Sequence, residues 1–425
     1  MRVLFLAHRL PYPPNKGDKI RSFWELRHLA ANHEVDLFCF YDDDGDARFI
    51  EPARDFCTNL YAERLSWWRS RWQSSLALLR GQAFSPAYFY SATMAHRVKK
   101  AIRTRDYDLI FVYCSSMAQY ASAPGIPRVI DLVDADSDKW AQYVDKKPSA
   151  IAWLYRLEAR RLAELERQIV EDFSATLVTT AAEAAILNRK GASSNVVVLE
   201  NHLNVDYFDP NKVELTKDII RWQPYVIFTG QMDYLPNIDA VTFFYREVFG
   251  RLKAAVPNIH FVIAGRNPTR EVTDLAKDPS VFVTGATPDM RPFLKGAVAA
   301  IAPMRIARGV QNKILEALAM GVPVAASQKA ASALPPALLP HLAVEDDPEK
   351  FGDALVELCR QPRKKLSPEV HKVLTERFNE ELLAGQFESI VRAATERSNN
   401  LDSHATAARY ADSHAVPGFV SGQGR

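Results

Sequence analysis

Cysteine is scarce in this chain: four in 425 residues, at Cys39, Cys57, Cys114 and Cys359, far apart and never as Cys-x-x-Cys. That spacing gives no basis for a disulfide framework or a zinc ribbon and fits a reducing compartment. Long apolar runs are missing as well. The run Val3 to Ala7 meets His8 and Arg9 before reaching the length of a signal-peptide core, and no segment approaches the roughly 20 apolar residues of a membrane helix. Surplus charge is absent too. The net value of +2 argues against a dominant nucleic-acid surface while permitting local basic patches. No Gly-x-Gly-x-x-Gly follows the first apolar strand, which disfavours a dinucleotide site. What is present, 48% apolar and 24% charged residues, is the composition of a globular protein long enough for two domains. A cytoplasmic location is expected.

Pro303 to Ser327 carries the strongest chemical signal. The apolar run Val298 to Ala302 reads as a buried strand, Arg305, Arg308 and Gly309 as a loop, and Val310 to Met320 as a helix with Ile314, Leu315, Leu318 and Ala319 on its apolar face. Gly321 and Pro323 end that helix before the next strand, Val322 to Ala326. A helix start offers free N–H groups and partial positive charge, so it is a ready anion site. Arg305, Arg308 and Lys313 add full charges, and Glu316 stands as a lone carboxylate. A diphosphate at the helix start, with a sugar hydroxyl bonded to Glu316, accounts for these residue types together. An ordinary crossover with a solvated basic loop accounts for them separately.

The remainder repeats a strand–loop–helix rhythm. Val3 to Ala7, a loop from Pro11 to Asp18, a helix from Lys19 to Ala31 with Asp18 as its N-cap, and a strand from His33 to Tyr41 open a doubly wound α/β domain. Ligands in such domains sit beyond the carboxyl ends of the strands, so Gly17 and Asp18 are expected at a cleft, with His8 close by. Asp134-Ala-Asp-Ser-Asp138 invites a metal reading, but a calcium loop needs Gly at 139 and Glu at 145, and the chain has Lys139 and Asp145. A nucleotide-sugar site in which Asp134 and Asp136 hold a divalent ion stays open. Cleft-lining or helix-capping carboxylates at a strand end fit the α/β repeat better. The polar stretch Asn201 to Pro210 reads as an interdomain linker, after which Tyr225 to Thr229, Gly230 and the strand–turn Ile259 to Arg266 restart the same architecture. Residues 398–425 have little apolar content and are expected to lack fixed structure.

Arg64 to Arg80 is the second unusual stretch. At helical spacing Leu65, Trp68, Trp72, Leu76 and Leu79 fall on one stripe, flanked by Arg64, Arg69, Arg71 and Arg80. Such a helix either lies in a membrane interface or packs its stripe on its own domain.

Taken together, the Gly-Asp loop, Asn201 to Pro210, Gly230, Gly285 and Gly309…Glu316-Ala-Leu-Ala-Met-Gly-Val-Pro-Val resemble glycosyltransferase family four, a group of two-domain GT-B sugar transferases. Pro11 to Arg21, Asp134 to Trp140 and Arg308 to Glu316 look more narrowly like the sugar transferases associated with PEP-CTERM/exosortase exopolysaccharide loci. The resemblance covers about residues 1–395. It implies two Rossmann-like parallel-sheet domains: an acceptor-side domain over 1–200, joined by the C-terminal helix at about 375–396, and a nucleotide-sugar domain over 201–374. It also implies metal-independent transfer of a hexosyl group, with retention of configuration and no cofactor, from a nucleoside-diphosphate sugar to a glycan or lipid-linked acceptor at the inner face of the membrane, which 64–80 would touch.

The resemblance assigns Glu316 to the second glutamate of the family's Glu-x7-Glu pair, a ribose ligand. The first should lie at 308, where this chain has Arg308. The family's Arg and Lys after the glycine matching Gly230 are here Gln231 and Pro236. Positive charge lost near Gly230 reappears at Arg305, Arg308 and Lys313. Glu316, Lys313 and Arg308 are therefore the expected catalytic residues. The expected donor contacts are Gly230, Gln231, Arg266, Arg305, Gly309, Val310, Gln311 and Asn312, and the acceptor side of the cleft should hold His8, Gly17, Asp18, Asp134 and Asp136. A nucleotide-sugar epimerase or phosphorylase on the same frame, or a non-catalytic scaffold subunit, are the competing readings.

Overall fold

The computed structural model describes the backbone of residues 1–15, 17–42, 44–144, 149–188, 194–361 and 366–413. Its first sheet contains β1 (Arg2–Ala7), β2 (Glu34–Tyr41), β3 (Asn59–Arg64), β4 (Leu109–Tyr113), β5 (Arg128–Val133), β6 (Ala175–Val178) and β7 (Val196–Val198), all parallel, in the order β3-β2-β1-β4-β5-β6-β7. The second contains β8 (Tyr225–Thr229), β9 (His260–Ala264), β10 (Val281–Gly285), β11 (Ala299–Ala302), β12 (Val324–Ala326) and β13 (Leu342–Val344), in the order β10-β9-β8-β11-β12-β13. This is the expected GT-B architecture. Central strands such as β4 and β8 are buried at every residue because helices cover both faces of each sheet. Strand order reverses between β1 and β4 and again between β8 and β11. A crevice opens at each such switch point.

The chain crosses between the two bodies twice, side by side. Leu203 donates its N–H to Phe378 O at 2.8 Å and bridges Asn379 in parallel. The last helix, Glu380–Ser413, then returns to the first domain, where Leu383, Phe387, Val391 and Ala394 join the core beneath β1, β4 and β5. Arg27–Glu380 and Arg377–Glu200 pairs secure this return. The backbone is helical to Ser413, over residues expected above to lack fixed structure. Residues 414–425 lie outside the described residues.

Phe387 is fully buried and its ring meets Phe111 edge-on at 5.4 Å. Phe387→Ala should lower the unfolding free energy by about 3–5 kcal/mol in a urea titration, because the cavity cannot close against a rigid sheet.

Candidate active site between the domains

The carboxyl ends of the two sheets face a common cleft of about 810 Å³. On the first-domain side, His8 follows β1. Its ring stacks on Tyr113 at 5.8 Å, and Nε2 lies 3.6 Å from Asp18 Oδ2, which also accepts from Arg9 Nη1 at 3.0 Å. Burial alone would raise the Asp18 carboxyl, yet His8 and Arg9 hold it well below the usual carboxylate range. The helix begins at Gly17, so Asp18 sits in its first turn rather than capping it, and both residues line the cleft.

Strained backbone gathers at the ends of β4 and β5. Cys114 and the β-branched Val133 both adopt positive φ, at 80° and 67°, and both line the cleft. Such conformations cost on the order of 1–3 kcal/mol and persist only where their surroundings hold them. Here Asp131 Oδ1 accepts from Val133 N at 2.7 Å, and Val133 O accepts from Thr179 N at 2.9 Å. The chain that leaves this bend brings Asp134, Asp136 and Lys139 to the cleft wall. Burial raises the Asp134 carboxyl, Lys139 opposes the shift, and Thr179 Oγ1 donates to Oδ1 at 3.3 Å; Asp136 accepts from Ser115 Oγ at 3.0 Å. Among the described residues no three His, Cys, Asp or Glu side chains gather as a metal ion would require.

On the second-domain side, the turns after β8 and β9 lie back to back. A Cβ on Gly265 would come within 1.6 Å of Gly230 O, so only glycine permits this approach. Asn237 bridges from the following helix. Its Nδ2 donates to Gln231 O at 2.9 Å, and its Oδ1 accepts from Lys313 Nζ at 2.8 Å. Lys313 Nζ also sits 3.9 Å from the centre of the Phe228 ring. The helix bearing it spans Asn312–Ala319, slightly shorter than expected. Burial brings the Lys313 ammonium down to about 7 against the pull of Glu316, and drives the Glu316 carboxyl up to about 7 against the pull of Lys313. Neither is part of the cleft lining, and both side chains are half-buried. No donor among the described residues meets the Glu316 carboxyl.

Gly309, Val310 and Asn312 at the start of this helix do line the cleft, and the buried Asn312 Oδ1 has no partner among the described residues. Gly309 needs its positive φ of 58° to run against the first domain, where a Cβ would stand 3.4 Å from Asp134 Oδ1 and Thr179 Oγ1. Gln311 does not reach the main cleft; its side chain turns back to donate to Arg308 O at 2.7 Å.

Three expected donor cations take other partners. Arg305 is half-exposed and paired with Asp239 at 2.5 and 3.1 Å, outside the cleft lining, because an acidic partner stands on the neighbouring helix. Arg266 Nη1 donates to Asn15 O at 2.9 Å, tying the two domains. Arg308 lines the cleft, but its guanidinium reaches across to Asp138 and to Glu183, at 2.8 Å, with only 13% of the side chain exposed. Burial pulls both Arg308 and Glu183 toward neutrality, Glu183 up to about 7, whereas the bonded geometry favours the charged pair. That contact decides in favour of ions, since a carboxylate and a guanidinium at bonding distance stabilise each other most when both are charged. Arg308 is thus an interdomain clasp.

Sequence reading missed Asn237, Lys139, Thr179, Glu183 and the hinge pair Asn201–His202, all at or beside the cleft. The hinge pair carried a signal in its place in the linker, and Lys139 in its place within Asp134 to Trp140. The others become visible once strand order is known.

The sequence matches two family models: "Glycosyl transferase 4-like domain" over residues 24–202 and "Glycosyl transferases group 1" over 223–361. No curated protein matches the chain significantly. Among solved structures, sucrose-phosphate synthase from Thermosynechococcus elongatus superposes with a TM-score of 0.66 at 16% identity, covering 92% of this chain and 98% of its own. Anabaena HepE in complex with UDP-glucose gives 0.63 at 13% identity over 92% of this chain and all of its own. WaaG, a glycosyltransferase involved in lipopolysaccharide biosynthesis, gives 0.61 at 16% identity, covering 91% and 99%. With one family model on each sheet-bearing half and the paired parallel sheets opening on one cleft, the chain belongs to the glycosyltransferases of the GT-B type.

Proposed function

We propose that the chain transfers a hexosyl group, with retention and without a metal ion or other cofactor, from a nucleoside-diphosphate sugar to a glycan or lipid-linked acceptor. Exopolysaccharide assembly of the PEP-CTERM/exosortase-associated kind, on the cytoplasmic side, is the setting that the sequence resemblance favours. One observation carries the reading. Glu316 is a half-buried carboxyl without a hydrogen-bond donor among the described residues, one turn beyond Lys313 on the helix whose start faces the cleft. Its oxygens keep acceptor capacity that a ligand hydroxyl can use. The ribose of a nucleotide is the chemistry that fits.

In this reading the diphosphate lies against the backbone of Gly309, Val310 and Asn312, with Asn237 carrying the Lys313 charge toward it and Gly230 and Gln231 flanking. Breaking the glycosidic C–O bond develops negative charge on the diphosphate and positive charge on the sugar. Amides and an ammonium already in place stabilise the leaving group without reorganising. The Arg308 clasp and the Arg266–Asn15 tie hold the domains together, excluding water and aligning the acceptor hydroxyl near His8, Asp18, Asp134 and Asp136.

A thermal-shift screen of UDP-, GDP-, ADP- and dTDP-sugars should raise the melting temperature with one base class, because a ligand that binds only the folded state stabilises it. Glu316→Ala should then lose at least about 100-fold in turnover, whereas a scaffold would keep its phenotype and an epimerase would convert donor without acceptor. Lys313 supplies a cation below about pH 7 and loses it above, while the diphosphate of a nucleotide sugar does not titrate there. Through Lys313, donor affinity measured by calorimetry should therefore weaken as pH rises from 6 to 8.5, by at most about tenfold per unit; Lys313→Arg should flatten that slope, and Lys313→Arg with Glu316→Gln, which also removes the carboxyl held near 7, should abolish it. Arg308→Glu sets a third carboxylate against Asp138 and Glu183. It should enlarge the radius of gyration in small-angle scattering, and Glu183→Arg in the same chain should reverse the change.

A further inference from the structure

The helix Trp67–Leu79 is built inside out. Trp68, Trp72 and Leu79 share one face and are 77%, 70% and 84% exposed, with Trp67 beside them at 49%. The opposite face, about 180° away at helical spacing, is the one that packs inward, through the small residues Ser70 and Ala77. The fold holds this helix without using its large side chains. Leu65 is buried just before it, Ser74 Oγ donates to Phe84 O at 3.1 Å, and Arg161 of the helix Ser149–Asp172 donates to Leu78 O and Gln82 O at 3.1 and 2.8 Å. Glu158 on that same helix accepts from the N–H groups of Phe84 and Ser85, both at 2.8 Å. The tryptophans are therefore surplus to stability.

We propose that this exposed face is a docking surface for an anionic lipid bilayer. Charge complementarity selects the occupant: Arg64 to Arg80 contains no acidic residue, and although Arg64 pairs with Asp44 at 2.8 Å, Arg69, Arg71 and Arg80 are exposed beside the tryptophans. Arg71 lies over the Trp67 ring at 4.7 Å, which keeps a cation next to apolar surface as an interfacial helix does. Indole rings and leucine enter the boundary between headgroups and chains, and guanidinium groups meet phosphate. Of the stripe, Leu65 packs on its own domain and Leu76 is half-buried, whereas Trp68, Trp72 and Leu79 stay exposed. The position also connects the surface to the cleft. Phe84, just beyond the helix, meets Trp140 edge-on at 5.1 Å, and Trp140 belongs to the helix Asp136–Val144, whose Asp136 and Lys139 line the cleft. Bilayer contact and cleft wall thus form one packed unit. The docking claim stands independently of the donor chemistry above.

The test is co-sedimentation of the full chain with vesicles of phosphatidylcholine alone and with about one-third phosphatidylglycerol. The parent should pellet with the anionic vesicles. Trp68→Ser with Trp72→Ser should lower the partition coefficient at least tenfold with an unchanged melting temperature, and Arg69→Glu with Arg71→Glu should remove the dependence on phosphatidylglycerol. Equal pelleting of parent and tryptophan variant would overturn the proposal. So would a parent that is dimeric in sedimentation equilibrium and becomes monomeric in the tryptophan variant, because a second copy would then own the face.

Discussion

A guanidinium buried at the root of the hinge is the contact on which the arrangement depends. Arg21 donates to Asp131 Oδ2 at 2.6 Å, to Leu199 O and Asn201 Oδ1 at 3.0 Å, and to Glu200 O at 3.3 Å, with almost no exposure. It therefore joins the first helix, the end of β5 and the peptide that leaves for the second domain. Burying such an ion costs several kcal/mol, which only a full set of acceptors offsets. Neighbouring Glu25 is raised well above its usual value by burial and then by Asp131, while Arg21, 3.6 Å away, pulls it back. Because Asp131 also accepts from Val133 N, the same carboxylate holds both the hinge and the strained bend that leads to Asp134.

From that root the cleft is walled by cations that each find a partner, two of them across the domain boundary. Arg308 is taken by Asp138 and Glu183, Arg266 by a backbone oxygen, and Arg305 by Asp239 on its own side. This leaves Lys313, held by Asn237 and poised near neutrality, as the adjustable cation beside the helix start. A charge so placed responds strongly to an arriving anion, since occupancy restores the proton that burial removes.

Much of this was readable from sequence, and the failures have a common cause. Parallel strands announce themselves as unbroken apolar runs, and Gly230, Gly309 and Gly321 mark turns that their φ angles require. The hinge segment Asn201–Pro210 and the Glu316 helix followed from local pattern. The partners of Arg305 and Arg308 were not legible because a cation's sequence neighbours do not show which carboxylate will meet it in space; Asp239 is 66 residues away from Arg305 and Glu183 is 125 from Arg308. The tryptophan stripe was visible at helical spacing, but its orientation was not. Spacing is blind to whether the large or the small side of a helix turns inward, and here Ser70 and Ala77 take the inner side.

The central claim is that a nucleoside diphosphate seats at the start of the Asn312–Ala319 helix while Arg308 keeps the domains clasped. A crystal structure with a nucleoside diphosphate bound tests it most directly. The account predicts phosphate oxygens against the Gly309–Asn312 backbone and the Asn237–Lys313 pair, ribose on Glu316, and Arg308 still on Glu183. Arg308 swung onto the phosphates with Glu316 untouched, or nucleotide bound away from this cleft, would contradict it.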